Sequence, residues 1–216
     1  MLAATAVLSA CGGGGGSTPA TTYDLAAAST NLTSSAHTFT LNGTATNGAA
    51  LTLVWSIAPV GSGVFPLTNT AGQRVDTTIA ISSGGIELVN ATEQTFFNSS
   101  HKGLGSVLPN GSCTKADDKP LPTDAVPGSS GDLGTDSIYA TCSLSAPITD
   151  TLSGTWSLEQ KSVDGVYLCA NTRQLDATGT EVSRESDCVE VAPDGGIGTR
   201  ARVTVNVQGV VITFAN

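Results

Sequence analysis

The sequence predicts an all-β protein, built of antiparallel strands in a sandwich-like arrangement. Serine and threonine make up roughly a quarter of the chain while Lys, Arg, Met and Glu are scarce, which favours pleated, half-exposed strands over helices. Apolar and polar residues alternate over short runs, the period-2 pattern of a strand with one buried face. Glycine-bearing turn dipeptides separate these runs, as hairpins require.

The first module is expected over residues 36–97. Phe39, Leu41, Gly43 and Ala45 alternate with Thr38, Thr40, Asn42 and Thr44, and Asn47-Gly48 supplies a hairpin turn. The next strand, 51–58, puts Leu51, Leu53, Trp55 and Ile57 on one face. Strands over 64–67, 75–82 and 86–89 follow. Between 98 and 137, Gly103, Gly105, Pro109 to Gly111, Pro120, Pro122, Pro127-Gly128 and Gly131 interrupt every candidate strand. This segment reads as a long connecting loop, either functional or a boundary between modules.

The second module is expected over 138–216, with strands at 138–144 and 152–159, a long hairpin over 166–191 and a closing hairpin over 201–214. A turn at Gln208-Gly209 pairs Val207 with Val210, Val205 with Ile212 and Val203 with Phe214, while Thr204 faces Thr213. One face of that hairpin is wholly apolar and lies on a core. The two modules resemble each other. Leu51 precedes Trp55-Ser56-Ile57 as Leu152 precedes Trp156-Ser157-Leu158, and 79–89 parallels 203–213.

Of the five cysteines, Cys113, Cys142, Cys169 and Cys188 match no zinc spacing and read as two disulfides. A turn centred on Thr178-Gly179 places Cys169 directly opposite Cys188, within disulfide reach. Cys113 then pairs with Cys142 by elimination.

A formal charge of −9 argues against nucleic acid as a partner, because phosphate binding needs clustered Lys and Arg. From Cys11 to Leu108 the charged residues are only Asp24, Arg74, Asp76, Glu87, Glu93 and Lys102, so most charge lies in the second half. No catalytic residue, cofactor site or metal site is assigned. His37 opens a strand. His101 stands beside Ser99-Ser100 without a Gly-x-Ser-x-Gly elbow, so it reads as a solvated loop residue. Asp117-Asp118 lie in a Lys-containing loop and read as solvated, and Asp132 with Asp136 lacks the ligand spacing of a calcium loop. Asn31, Asn42, Asn90, Asn98 and Asn110 sit in Asn-x-Ser/Thr sequons that reflect the composition of the chain rather than glycan sites.

The opening residues carry the one family resemblance. Leu8-Ser9-Ala10-Cys11, ending an apolar run and followed by Gly12 to Gly16, resembles the lipobox of bacterial lipoproteins. The resemblance implies a signal segment over 1–10, diacylation of Cys11 and a membrane anchor held by two acyl chains, while residues 17–31, rich in Ser, Thr and Ala with Pro19 and no period, read as part of a flexible linker over 11–35. Gly12 after the cysteine, rather than Asp, implies by the same resemblance the outer membrane of a two-membrane bacterium. The first basic residue is Arg74, so the positively charged start of a signal peptide is missing and the natural start is expected upstream.

The expected function is an envelope-anchored, non-enzymatic structural or binding scaffold with a protein or glycan partner. The rival is a surface hydrolase or glycan-processing enzyme using Asp132, Asp150 or Asp164, which two carboxyls about 5 to 9 Å apart in a cleft would favour. An outer-membrane barrel is disfavoured, since aromatic girdles are missing.

Overall fold

The computed structural model describes residues 20–161 and 165–216. Among these, one helix, α1 (Leu25–Ser34), precedes twelve strands: β1 (His37–Thr44), β2 (Ala50–Phe65), β3 (Thr70–Ser83), β4 (Ile86–Phe97), β5 (Gly103–Val107), β6 (Cys113–Lys115), β7 (Ser130–Tyr139), β8 (Ile148–Gln160), β9 (Val166–Asp176), β10 (Glu181–Val191), β11 (Ile197–Val207) and β12 (Val210–Ala215). Each strand pairs antiparallel with the next, and β1 pairs with β12.

The all-β class is as expected, but the sheet is a closed barrel and not a sandwich. Alternation specifies which side chains share a face, and both architectures need it. It does not say whether the first and last strands meet. Here they do, at Asn42↔Ala215 and Gly43↔Phe214. Gly43 makes the seam possible: a Cβ there would lie 2.7 Å from the Phe214 ring and 2.9 Å from the Thr213 carbonyl oxygen. Closure removes the exposed sheet edges that would otherwise invite pairing with other chains.

The interior holds a packed core beside a cavity. Leu41, Leu53, Trp55, Trp156, Leu158, Val203 and Phe214 belong to one buried cluster, so residues 36–97 and 138–216 share a core. Glu93 on β4 and Asp187 on β10 line one interior cavity, although β4 and β10 stand six steps apart around the ring in either direction. Outward positions are hydroxyl-rich, with cross-strand pairs Thr78–Thr92 at 2.9 Å and Thr204–Thr213 at 3.1 Å.

Residues 98–137, whose glycines and prolines suggested a loop, carry β5, β6 and most of β7. The glycines mark close approach rather than strand breaks. At Gly105, with φ 136°, a Cβ would collide with the Thr114 carbonyl and come within 2.8 Å of the Phe65 ring. At Gly131 it would sit 2.6 Å from the Trp156 indole nitrogen. Beyond a register shift after Pro59, β2 delivers Phe65 to a second core with Leu67, Phe96 and Cys113. Phe96 there faces opposite to its neighbours Thr95 and Phe97.

The closing hairpin has the expected register, including Val203↔Phe214 and Val207↔Val210. Cys169 lies opposite Cys188, and the disulfides are Cys113–Cys142 and Cys169–Cys188. The turn differs in detail. Asp176 N–H donates to the Thr180 carbonyl at 2.9 Å, and a register shift between Glu181 and Ser183 then restores the counted pairing. The Cys169–Cys188 sulfurs face outward beneath Arg202, whose Nη2 lies 3.0 Å from Cys188 Sγ and donates to Glu159 Oε2 at 2.8 Å.

Helix α1 occupies part of the segment expected as linker. Asp24 caps it, accepting from Ala27 N–H at 2.8 Å. Leu25, Ala28 and Leu32, spaced three and four apart, turn to the barrel core. The helix is stitched into one mouth: Asp24 N–H donates to the Pro193 carbonyl at 3.0 Å, Leu25 N–H to Pro122 at 3.0 Å, and Asn31 Nδ2 to the Gly195 carbonyl at 3.0 Å. A Cβ at Gly195, which has φ 82°, would come within 2.7 Å of Ala27 Cβ and Ala28 N, so only glycine allows this seating. Because the strands form a meander, the turns β2–β3, β4–β5, β6–β7, β8–β9 and β10–β11 share the mouth that holds α1.

Candidate functional site

Two cavities adjoin α1. The first, about 590 Å³, opens at the mouth between α1, β7 and the β4–β5 and β6–β7 connections. Phe97, Leu121, Leu133 and Leu152 supply apolar lining, and His101, Lys102, Asp118, Lys119 and Asp136 the ionisable groups. Such a mixture of apolar wall and few polar groups is the usual make-up of a ligand pocket.

Its two inner carboxylates are perturbed. Asp118 Oδ2 accepts from Gly103 N–H at 2.9 Å. Burial raises the Asp118 pKa, against the pull of that hydrogen bond and of Lys102, and Asp117 pushes it further up. Asp136 Oδ1 accepts from Asp117 N–H at 3.2 Å. Burial is the main reason that its pKa is pushed up to about 6; Asp118, Glu93 and Asp117 add to the rise and the Asp117 hydrogen bond opposes it.

The second cavity, about 260 Å³, lies inside the barrel between α1, β2, β3, β4 and β10. Trp55, Ile57, Ile79 and Phe97 meet Glu93, Glu185 and Asp187 there. Phe97 lines both cavities. Register explains the acids: Glu185 pairs with Val205 and Asp187 with Val203, so both share the inward face of β10 with Val189 and Val191. Asp187 Oδ1 is buried without a hydrogen-bond partner. Burial drives the Asp187 pKa well above the usual carboxylate range, with Glu185 and Glu93 adding to it. Glu185 is raised by burial and by Glu93.

Of the residues singled out in the sequence, His101, Asp118 and Asp136 line the mouth pocket, where Asp118 is shielded by burial rather than solvated as expected, and the others are dispersed. Cys11 and Asp164 lie outside the described residues. Asp132 is exposed, ion-pairs with Lys119, and is held below the ordinary carboxylate range by that bond. It also pairs in register with Thr155, five residues along β8 from Asp150, a separation of about 16 Å at strand rise. These two therefore do not form a catalytic pair. Asp132 and Asp136 are divided by a register shift between Asp132 and Gly134, and do not converge on a calcium position. Among the described residues, the one group of three ligand-type atoms within 4.8 Å is Glu159, Cys169 and Cys188, whose sulfurs are bonded to each other. His37 Nε2 lies 3.2 Å from the Asn31 carbonyl, while His101, at φ 55°, sits in the β4–β5 turn at the pocket rim.

Asn98 and Asn110 are turn residues, their Oδ1 atoms accepting from Ser100 N–H at 2.8 Å and Ser112 N–H at 3.0 Å. The sequence reading missed Glu93, Glu185 and Asp187. The available signal was parity: Glu185 and Asp187 stand in step with Val189 and Val191.

No protein-family model, curated protein or solved structure matches the chain.

The buried acids set the pH response. A carboxyl whose pKa is higher in the folded chain binds its proton more tightly there, so stability is full below the unfolded pKa and is lost as pH rises through the folded one. For Asp136 that window runs from near 4 to about 6, and Asp118, Glu185 and Asp187 act in the same direction. Urea midpoints are expected to be higher at about pH 5 than at about pH 8, with Asp136 contributing on the order of 1 kcal/mol to that difference after solvent screening. Asp136→Asn flattens part of that slope. A midpoint that climbs from pH 5 to 8 contradicts the assignment.

Proposed function

We propose that this chain is an envelope lipoprotein, anchored through lipid on Cys11, whose barrel is a non-enzymatic binding scaffold for a protein or glycan partner. The Leu8 to Cys11 lipobox resemblance supports the anchor, and two disulfides fit an oxidising compartment outside the cytoplasm. The observation that carries the binding reading is the mouth pocket of about 590 Å³, walled by a helix that hydrogen bonds hold in place. Metabolic labelling with an alkyne fatty acid should mark the natural chain and leave Cys11→Ser unmarked. On glycan and peptide arrays, the Cys11→Ser chain should bind one ligand class, and adding Ser29→Trp at the pocket wall should abolish that binding. Equal binding by both proteins sinks the pocket reading.

One observation favours a second reading, a surface hydrolase or glycan-processing enzyme. Asp118 and Asp136 share the pocket, and a carboxyl with a pKa of about 6 is suited to general-acid chemistry. Turnover of chromogenic glycosides that Asp136→Asn eliminates, with ligand binding retained, would establish it over the scaffold.

A further inference from the structure

The interior cavity has an unusual charge balance for a β-barrel core. Its lining includes Glu93, Glu185 and Asp187 and no Lys, Arg or His. Asp187 Oδ1, cut off from solvent, has no partner. A buried carboxyl oxygen left in that state forfeits its hydration with nothing in return, so it needs a compensating role. The surroundings indicate what would satisfy it. Trp55 and Phe97 present aromatic surface in the same space, and Thr77 and Thr95 present hydroxyls. Acids combined with an aromatic wall attract a cation that also carries apolar surface.

A bare metal ion fits poorly. The three carboxylates are not among the ligand-type atoms that gather within 4.8 Å of one another, so no tight oxygen cage awaits a divalent ion among the described residues. Acids on β4 and β10, lining one cavity from opposite sides of the ring, instead suit a ligand that reaches from one wall to the other. A volume of about 260 Å³ lies just below the usual range for drug-sized ligands, which limits the occupant to a small molecule.

We propose that the barrel interior binds a small organic cation, an alkylammonium or guanidinium compound, with Glu93, Glu185 and Asp187 as its counter-charges and Trp55 as its aromatic wall. The site is distinct from the mouth pocket and does not depend on the anchoring or scaffold reading. Phe97, shared by the two cavities, is the partition between them.

The test uses the full chain carrying Trp156→Phe, which leaves Trp55 as its one indole. Titration with 1,4-diaminobutane and with agmatine should give a saturable change in Trp55 fluorescence, and calcium chloride should give none. Asp187→Asn and, separately, Glu185→Gln should each weaken binding by about tenfold or more, while the melting temperature stays level or rises. A melting temperature that does not fall excludes unfolding as the cause. Should Asp187→Asn fail to fold, Glu185→Gln decides. No saturable change up to about 10 mM amine, an amide variant that binds as well as the parent, or calcium binding in preference to the amines overturns the proposal.

Discussion

Phe214→Ala is expected to destabilise the barrel by about 4 kcal/mol and to lower its melting temperature by roughly 10 °C or more. Phe214 is 1% exposed, faces Val203 across β12 and β11, and packs its ring against Gly43 at the seam. Truncation loses the burial of the ring and leaves a cavity where the sheet closes on itself. Only two residue pairs define that seam in register, so neighbouring pairs offer little compensation. Val210→Ala, at a hairpin tip where the side chain is 47% exposed, provides the control and should cost less than about 0.5 kcal/mol. Urea unfolding followed by near-ultraviolet circular dichroism measures both. A Phe214→Ala cost no larger than that of Val210→Ala would mean that the seam does not carry the core as described.

The second large effect concerns the disulfides. Cys113–Cys142 and Cys169–Cys188 span separations of 29 and 19 residues, and loop-closure entropy assigns each about 3–4 kcal/mol. Removing the first pair should have a further local consequence. Cys113 is buried with Phe65, Leu67 and Phe96, and it holds the three-residue β6 between β5 and β7. The Cys113→Ser/Cys142→Ser chain should therefore show faster hydrogen exchange across residues 103–115, on top of the global loss. The Cys169→Ser/Cys188→Ser chain should leave that segment protected. Equal exchange in both variants contradicts a separate role for the second core of Phe65, Leu67, Phe96 and Cys113.

How much was legible in the sequence depended on the range of the interaction. Local alternation and a two-residue turn specify the register of β11 with β12 down to Val203↔Phe214, because the pairing is counted outward from Gln208-Gly209. The Cys169–Cys188 pair was reached by the same counting, although the loop and the later register shift offset each other rather than being absent. Closure was not legible. It joins residues more than 170 positions apart through a contact that depends on Gly43 having no side chain. Gly105 and Gly131 misled for a related reason, since a glycine required by a distant carbonyl or indole looks the same in sequence as a glycine that ends a strand.

Helix α1 is short and rich in alanine, and its place at the mouth depends on partners from residues 122, 193 and 195 that no local pattern reveals. The acidic interior was hidden for a different reason. Glu185 and Asp187 carry the charge expected of solvated positions, yet β10 turns them inward in step with Val189 and Val191. A polar residue on the buried face of a strand is a local contradiction, and such contradictions collect where ligands bind.

One closed barrel unites both halves of the chain and encloses the acids of β4 and β10. Solution NMR of the seam tests that closure most directly. Cross-strand nuclear Overhauser contacts between the backbones of Asn42–Gly43 and Phe214–Ala215, with slowly exchanging seam amides, are the expected result. Rapidly exchanging amides along both β1 and β12, with no contact between the two strands, would leave them as the free edges of an open sandwich and contradict the barrel.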